Sequence, residues 1–199
     1  MLTAARELFH RFGIRGVSVD AIAEAAGTNK MTLYRHFESK DGLVVAYVRG
    51  AAAEADAIWS RIESENSGNR RAQLESWLAH ADNRAWTDGR GCDLANAAAD
   101  LPEECHPARR LIRDVKIAQR DRLVKLCKDA GATRPKILAD TLTLLLEGAR
   151  ASRQAAGDNG PCAGFAMMAW AAIKNARWRS VTRPKRMRLP RSGGGALIG

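Results

Sequence analysis

The sequence predicts an all-α fold, and three observations carry that prediction. The chain holds 36 alanines in 199 residues and is rich in Leu, Glu, Arg and Lys, all good helix formers. No stretch sustains the period-two alternation of β-branched residues that a half-buried strand needs. Apolar residues recur instead at the i, i+3, i+4, i+7 spacing of helix faces.

The elements follow in order. Residues 3 to 12 place Ala5, Leu8, Phe9 and Phe12 on one helical face, with Gly13 as a C-terminal stop. Ser18 caps a second helix through Val19, Ile22, Ala23 and Ala26, which Gly27 ends. A short helix, Lys30 to Phe37, turns Leu33 and Phe37 inward. Ser39 then opens a long helix through Leu43, Val44, Tyr47, Val48, Ala51, Ala55 and Trp59. The polar stretch "ESENSGN" at 63–69 is a loop. A helix near Arg71 to Ala85 follows, with Leu74, Trp77, Leu78 and Ala81 on one face. Glycine and proline breaks at 87–107 surround the short segment "CDLANAAADL". Pro107 suits the first turn of a helix running to about Ala130, closed by Gly131.

The last two helices differ in kind. Residues 136–156 spread Ile137, Leu138, Leu142, Leu144, Leu145 and Leu146 too widely for one stripe, and 161–174, "PCAGFAMMAWAAIK", is apolar almost all round. A helix apolar on every side is buried on every side, so the surplus faces predict a second copy of the chain. Leu142, Leu145, Leu146, Phe165, Met168 and Trp170 are the expected interface residues.

The formal charge of +10 is uneven. Eight Lys and Arg and no acid lie from Lys174 onward, leaving 24 bases against all 22 acids before it. The high charge therefore describes the tail "RPKRMRLPRSGGG", whose composition predicts disorder, and not the folded part. The longest apolar run, Phe165 to Ile173, has nine residues, about half of a bilayer span. Arg6 and Glu7 interrupt the start where a secretion signal needs an apolar core. A cytoplasmic protein that does not enter a membrane is expected. Cys92, Cys105, Cys127 and Cys162 contain no CxxC pair and read as reduced thiols; no metal or cofactor is expected. No HExxH, GxSxG, P-loop or complete GxGxxG is present, so an enzyme reading finds no support.

The stretch "GTNKMTLYRHFESKDGL", residues 27–43, places a lysine directly after each of two helix caps, at Asn29-Lys30 and Ser39-Lys40. Helix N-termini carry partial positive charge, so a cation there is locally unfavourable. An outside anion such as phosphate would account for both. Helix, tight turn and second short helix is the helix-turn-helix arrangement, whose second helix enters the DNA major groove. Its exposed side carries Lys30, Thr32, Arg35 and His36, with Tyr34 beside them: donors for phosphates and base edges, plus one aromatic.

Residues 5–48 resemble the DNA-binding head of the TetR family of transcriptional repressors, and the stretch "AARELFHRFGIRGVSVDAIAEAAGTNKMTLYRHFESKDGLV", 4–44, carries the match. Beyond that head the resemblance lies only in helical layout and in "GCDLANAAAD". It implies an all-α homodimer in which a variable C-terminal domain binds a small effector and the last two long helices form the dimer bundle. Carried over by position, the DNA contacts are Ser18, Asn29, Lys30, Met31, Thr32, Tyr34, Arg35, His36 and Lys40. Met31 departs from the family, which commonly has a small residue there.

The expected organisation is a DNA-binding head over 1–48, an effector-binding and dimerisation domain over 49–178 and a basic tail over 179–199. The expected function is a ligand-responsive repressor that binds a pseudo-palindromic operator in double-stranded DNA and is released by a small molecule. An alternative is a nonspecific architectural DNA binder that uses the tail. The tryptophan-rich helical domain suggests a hydrophobic or aromatic effector. Trp59, Trp77, Trp86, Cys92, Asn96, Val115 and Arg122 are candidate pocket residues, although tryptophans suit a packed core equally well.

Overall fold

The computed structural model describes residues 1–87 and 91–179, with side chains excepted at residues 86 and 87. Its helices are α1 (Leu2–Gly16), α2 (Val19–Ala25), α3 (Lys30–Phe37), α4 (Lys40–Glu65), α5 (Arg70–Thr87), α6 (Asp93–Asp100), α7 (Pro107–Asp129), α8 (Pro135–Ala156) and α9 (Phe165–Asn175). Among the described residues no strand forms, and no helix is long and apolar enough to cross a membrane. Residues 161–164, expected to be α-helical, form a 3₁₀ turn that leads into α9. Gly160 precedes the turn and Gly164 ends it, and the α-helical ladder begins at Phe165.

Each head helix stops where its residues dictate. At Gly13 the backbone takes φ 74° and ψ 163°, so α1 breaks there and restarts for less than one turn. Phe12, expected to face inward, is 56% exposed beside this break, with the Arg11 guanidinium 5.2 Å from its ring centre. Packing passes instead to Ile14 and Val17, both buried. At the end of α2, Gly27 sits at φ 62°, and Thr28 N–H donates to the Ala23 carbonyl while Gly27 N–H donates to that of Glu24. This pair closes a Schellman cap and turns the chain into α3.

The corner between α3 and α4 is tighter. Glu38 takes φ 61° and ψ −36°, and Ser39 N–H donates to the Phe37 carbonyl at 2.6 Å, a strained γ-type turn. Gly42 lies against that carbonyl: a Cβ there would stand 2.1 Å from Phe37 O.

Two buried clusters fill the molecule. One joins Ala5, Phe9, Ile22, Leu33, Leu43 and Val48 of the first four helices to Leu94, Ala97 and Ile112 of α6 and α7. Phe9 and Tyr47 meet edge to face at 5.5 Å within it. The other joins Trp59, Leu74, Leu78, Leu123, Leu142, Phe165 and Ile173 across α4, α5, α7, α8 and α9. The 48/49 division expected from the sequence falls inside the 26-residue α4, which contributes to both clusters. Buried Gln73 ties α5 back to the end of α4, donating to the Asn66 carbonyl at 3.1 Å. After α9 the chain folds back on the α7–α8 loop, where Arg179 N–H donates to Gly131 O at 2.7 Å. Arg71 stacks over Trp178 there at 3.9 Å. The rest of the basic tail, 180–199, lies outside the described residues.

Because the Gly42 neighbour is backbone and cannot rotate away, Gly42→Ala should destabilise the fold by about 2 kcal/mol or more. Urea unfolding compared with Gly50→Ala, where an added Cβ meets nothing within 4 Å, reads this out.

Candidate nucleic-acid interface and effector cavity

The side chains at the helix starts set the placement of α3. Ser18 accepts from Ala21 N–H at 3.1 Å and Asn29 from Thr32 N–H at 2.9 Å, so both cap helices while remaining exposed. Ser39 caps α4 through Gly42 N–H at 3.0 Å. With Leu33 fully buried and Phe37 partly so, α3 turns Lys30, Met31, Tyr34, Arg35 and His36 outward. Met31 is the most prominent of the large apolar side chains, 77% exposed. Thr32 is half-buried, its hydroxyl 3.2 Å from Asn29 Oδ1.

The two lysines at helix starts find acceptors inside the chain. Lys30 Nζ pairs with Asp20 at 3.3 Å on the surface and stays half exposed. Lys40 differs from the expected phosphate contact: its half-buried ammonium donates to the Ile14 carbonyl at 2.7 Å. Burial lowers its pKa, opposed by neighbouring Asp41. The physical reason is the end of α1 at Gly16: Ser18, whose N–H would be the helical partner of Ile14 O, is already extended, and the carbonyl is left to Lys40.

The same peptide is held from its other side. Ile14 N–H donates to Asp100 Oδ2 at 2.7 Å, at the end of α6. At the start of α6, Asp93 holds His10 Nδ1 at 2.8 Å and lies 3.5 Å from Arg6. Arg6 also grips Glu54 of α4 with both guanidinium nitrogens. These tethers were not among the residues singled out in the sequence. A signal exists: Asp93 and Asp100 are seven apart in "GCDLANAAAD", two turns along one helix face.

Behind this junction α4, α5, α6, α7 and α8 line a cavity of about 150 Å³ that opens to solvent. Trp59, Trp77 and Cys92 line it, whereas Asn96, Val115 and Arg122 do not. Val115 packs on the head cluster, and Arg122 lies outside among Asp56, Glu63 and the Trp59 ring. The Trp86 side chain is outside the described part. The cavity is more polar than expected, with His80, Arg84, Lys116, Arg120, Glu147 and Arg150 in its wall beside Ile58, Leu123 and Leu146. Composition could not reveal this, because these charges come from three helices far apart in sequence.

Lys116 donates to Glu147 at 2.6 Å and to Cys92 Sγ at 3.3 Å. Burial works to lower its pKa, but Cys92 and Glu147 more than offset it and the ammonium stays charged. His80 is shifted down, first by desolvation and then by the positive charges of Arg84, Arg61 and Arg150.

A helix-turn-helix head on an all-α body with a cavity between its helices defines the class of architecture. Comparison with known proteins makes the class specific. Residues 1–47 match the family described as bacterial regulatory proteins, tetR family. Over 49 residues, 25% of the chain, it is 41% identical to the HTH-type transcriptional regulator RutR of Escherichia coli K12, covering 23% of that protein. The matched stretch thus spans about a quarter of the curated relatives' length. Among solved structures, a TetR regulator (sav143) from Streptomyces avermitilis is 27% identical over 87% of this chain and 95% of that one, with a TM-score of 0.70. SCO4454, a TetR-family regulator from Streptomyces coelicolor, has the same fold at a TM-score of 0.77, with 24% identity over 87% and 89% of the two chains. Residues 1–47 thus match the tetR-family head, and the chain as a whole shares the fold of solved TetR-family regulators.

Lys40→Met should lower stability by about 1 kcal/mol, the order of a lost hydrogen bond, while Lys30→Met should leave it unchanged. Thermal melts of the two variants separate a clamp from a surface charge. His80, with its folded pKa below 6.5, binds a proton more readily unfolded than folded. Its contribution is therefore complete above pH 6.5 and is lost as pH falls through that value toward the folded pKa. His80→Gln should flatten stability across that window, measured by urea midpoints from pH 7.5 to 5.5.

Proposed function

We propose that this regulator binds a two-fold operator in double-stranded DNA as a homodimer and is released from it by a small molecule in the cavity. One observation carries the reading: Asp93 lines the cavity while its carboxylate holds His10 and Arg6 of the DNA-binding head. A ligand that displaces Asp93 acts on α1 directly. Such a ligand changes DNA affinity only if it binds the two arrangements unequally, and operator must then weaken ligand binding by the same factor.

The DNA-facing roles follow from exposure. Arg35 and His36 reach base edges, Met31 offers an apolar contact to a thymine methyl, and Lys30, Tyr34 and the α3 cap at Asn29 serve the backbone.

The proposed dimer surface needs revision from the sequence. Leu142 and Phe165 are fully buried in the chain's own core and offer no contact to a partner, while Leu145 and Leu146 are half-buried against it. Their places fall to Ile137 and Leu144 of α8, 59% and 72% exposed, and to Met167 of α9, 73% exposed. Met168 and Trp170 stay, at 40% and 37%. Solvated apolar side chains concentrated on the last two helices support an interface there.

Leu144→Asp should convert a dimer to a folded monomer, since Leu144 contributes little to the single chain's core. Sedimentation with circular dichroism tests this, and a wild-type monomer would refute the dimer. Arg35→Ala should relax base preference at one position by about 1–3 kcal/mol, read by binding to a library of operator variants.

A further inference from the structure

The charges around the cavity are not balanced inside it. Three carboxylates line it, but Glu54 is held by Arg6 and Asp93 by His10, both from α1 outside the wall. The third, Glu147, accepts from Lys116 at 2.6 Å and lies 3.6 Å from Arg150. Arg120 is turned to Asp140, which it grips at 2.6 and 2.9 Å. That leaves Arg84 and His80 on the α5 wall, where neither has a carboxylate partner among the described residues. Both are partly buried, and the positive field of Arg84 and Arg150 favours the neutral imidazole of His80, leaving Arg84 as the cation without a counter-charge. A partly buried guanidinium gains from a counter-charge, and among the described residues this wall supplies none, so it suits an anion. Across from these polar groups stand Ile58, Trp77, Leu123 and Leu146.

Taking the cavity as the effector site, we propose that the effector is an organic monocarboxylate with an apolar body. Arg84 grips the carboxylate through its planar fork of donors, with His80 beside it, and the apolar body lies against Trp77, Leu123 and Leu146. A neutral apolar ligand would desolvate Arg84 and leave it unpaired. A phosphate dianion would place a second negative charge near Glu54, Asp93 and Glu147. One negative charge on an apolar frame meets both constraints, a narrower class than the hydrophobic ligand suggested by tryptophan content.

The test uses matched acid and amide probes on the full chain: 2-naphthoate with 2-naphthamide, indole-3-acetate with indole-3-acetamide, and decanoate with decanamide. Calorimetry gives affinities, and fluorescence anisotropy gives operator binding with each probe. At least one acid should bind about 10- to 100-fold more tightly than its amide, the range of charge-assisted hydrogen bonds. Arg84→Met should bring that acid down to its amide's affinity and leave the amide unchanged, while Arg84→Lys retains part of the difference. Unchanged melting temperatures show that the variants fold. If no acid exceeds its amide, or Arg84→Met preserves the ratio, the carboxylate assignment is wrong. Amides that bind and release operator would overturn the assignment while leaving the cavity as effector site. Acids that bind through Arg84 but leave operator affinity unchanged would uphold the ligand class and refute the regulatory reading.

Discussion

The peptide of Ile14 is the point on which the placement of the head depends. Gly13, at φ 74°, breaks α1 and frees the N–H of Ile14, and the end of the helix at Gly16 frees its carbonyl. Each then meets a charged side chain from a different element: the N–H goes to Asp100 of α6 and the carbonyl to Lys40 of α4. Charge-assisted bonds of this kind are stronger than neutral ones. A side chain at position 13 would disturb the arrangement twice, through the positive φ and through a Cβ 2.6 Å from Asp100 Oδ2. The glycine is thus required by geometry, the carboxylate by the N–H it frees, and the ammonium by the carbonyl left at the helix end.

From this point the short helix α6 acts as a two-ended strut, about 12 Å long for its eight residues. Asp100 at its end fixes Ile14, while Asp93 at its start fixes His10 and borders the cavity. The apolar side chains between them, Leu94 and Ala97, are buried with the head and not with the body. The head is therefore seated on α6 through both polar ends and an apolar middle. Changes in the cavity wall have a short physical route to α1, which is why the proposed effector and DNA functions can share one chain.

The lysines at two helix starts illustrate how a local rule is overridden. Each opposes the positive end of its own helix, yet each is turned toward an acceptor elsewhere, Asp20 for Lys30 and the end of α1 for Lys40. A hypothetical outside anion accounted for both in the sequence, and the fold supplies an internal partner for each. Lys30, paired only at the surface, stays available to solvent; Lys40 is built into the scaffold.

What the sequence determined by itself was everything that depends on neighbours along the chain. The helix order, the caps at Ser18, Asn29 and Ser39, the stops at Gly13 and Gly27, and the outward set on α3 follow from local periodicity and backbone preference. The TetR-family head was legible for the same reason, since its motif is continuous over residues 1–47. Only the tertiary structure decided which of the many apolar residues of α8 and α9 are buried. Leu142 and Leu144 read alike in sequence, but one is completely buried and the other 72% exposed. The cavity likewise assembles His80, Arg84, Lys116 and Glu147 from α5, α7 and α8, a meeting with no sequence spacing to announce it. Helical period fixes which residues share a face; what that face meets is set by how the helices pack.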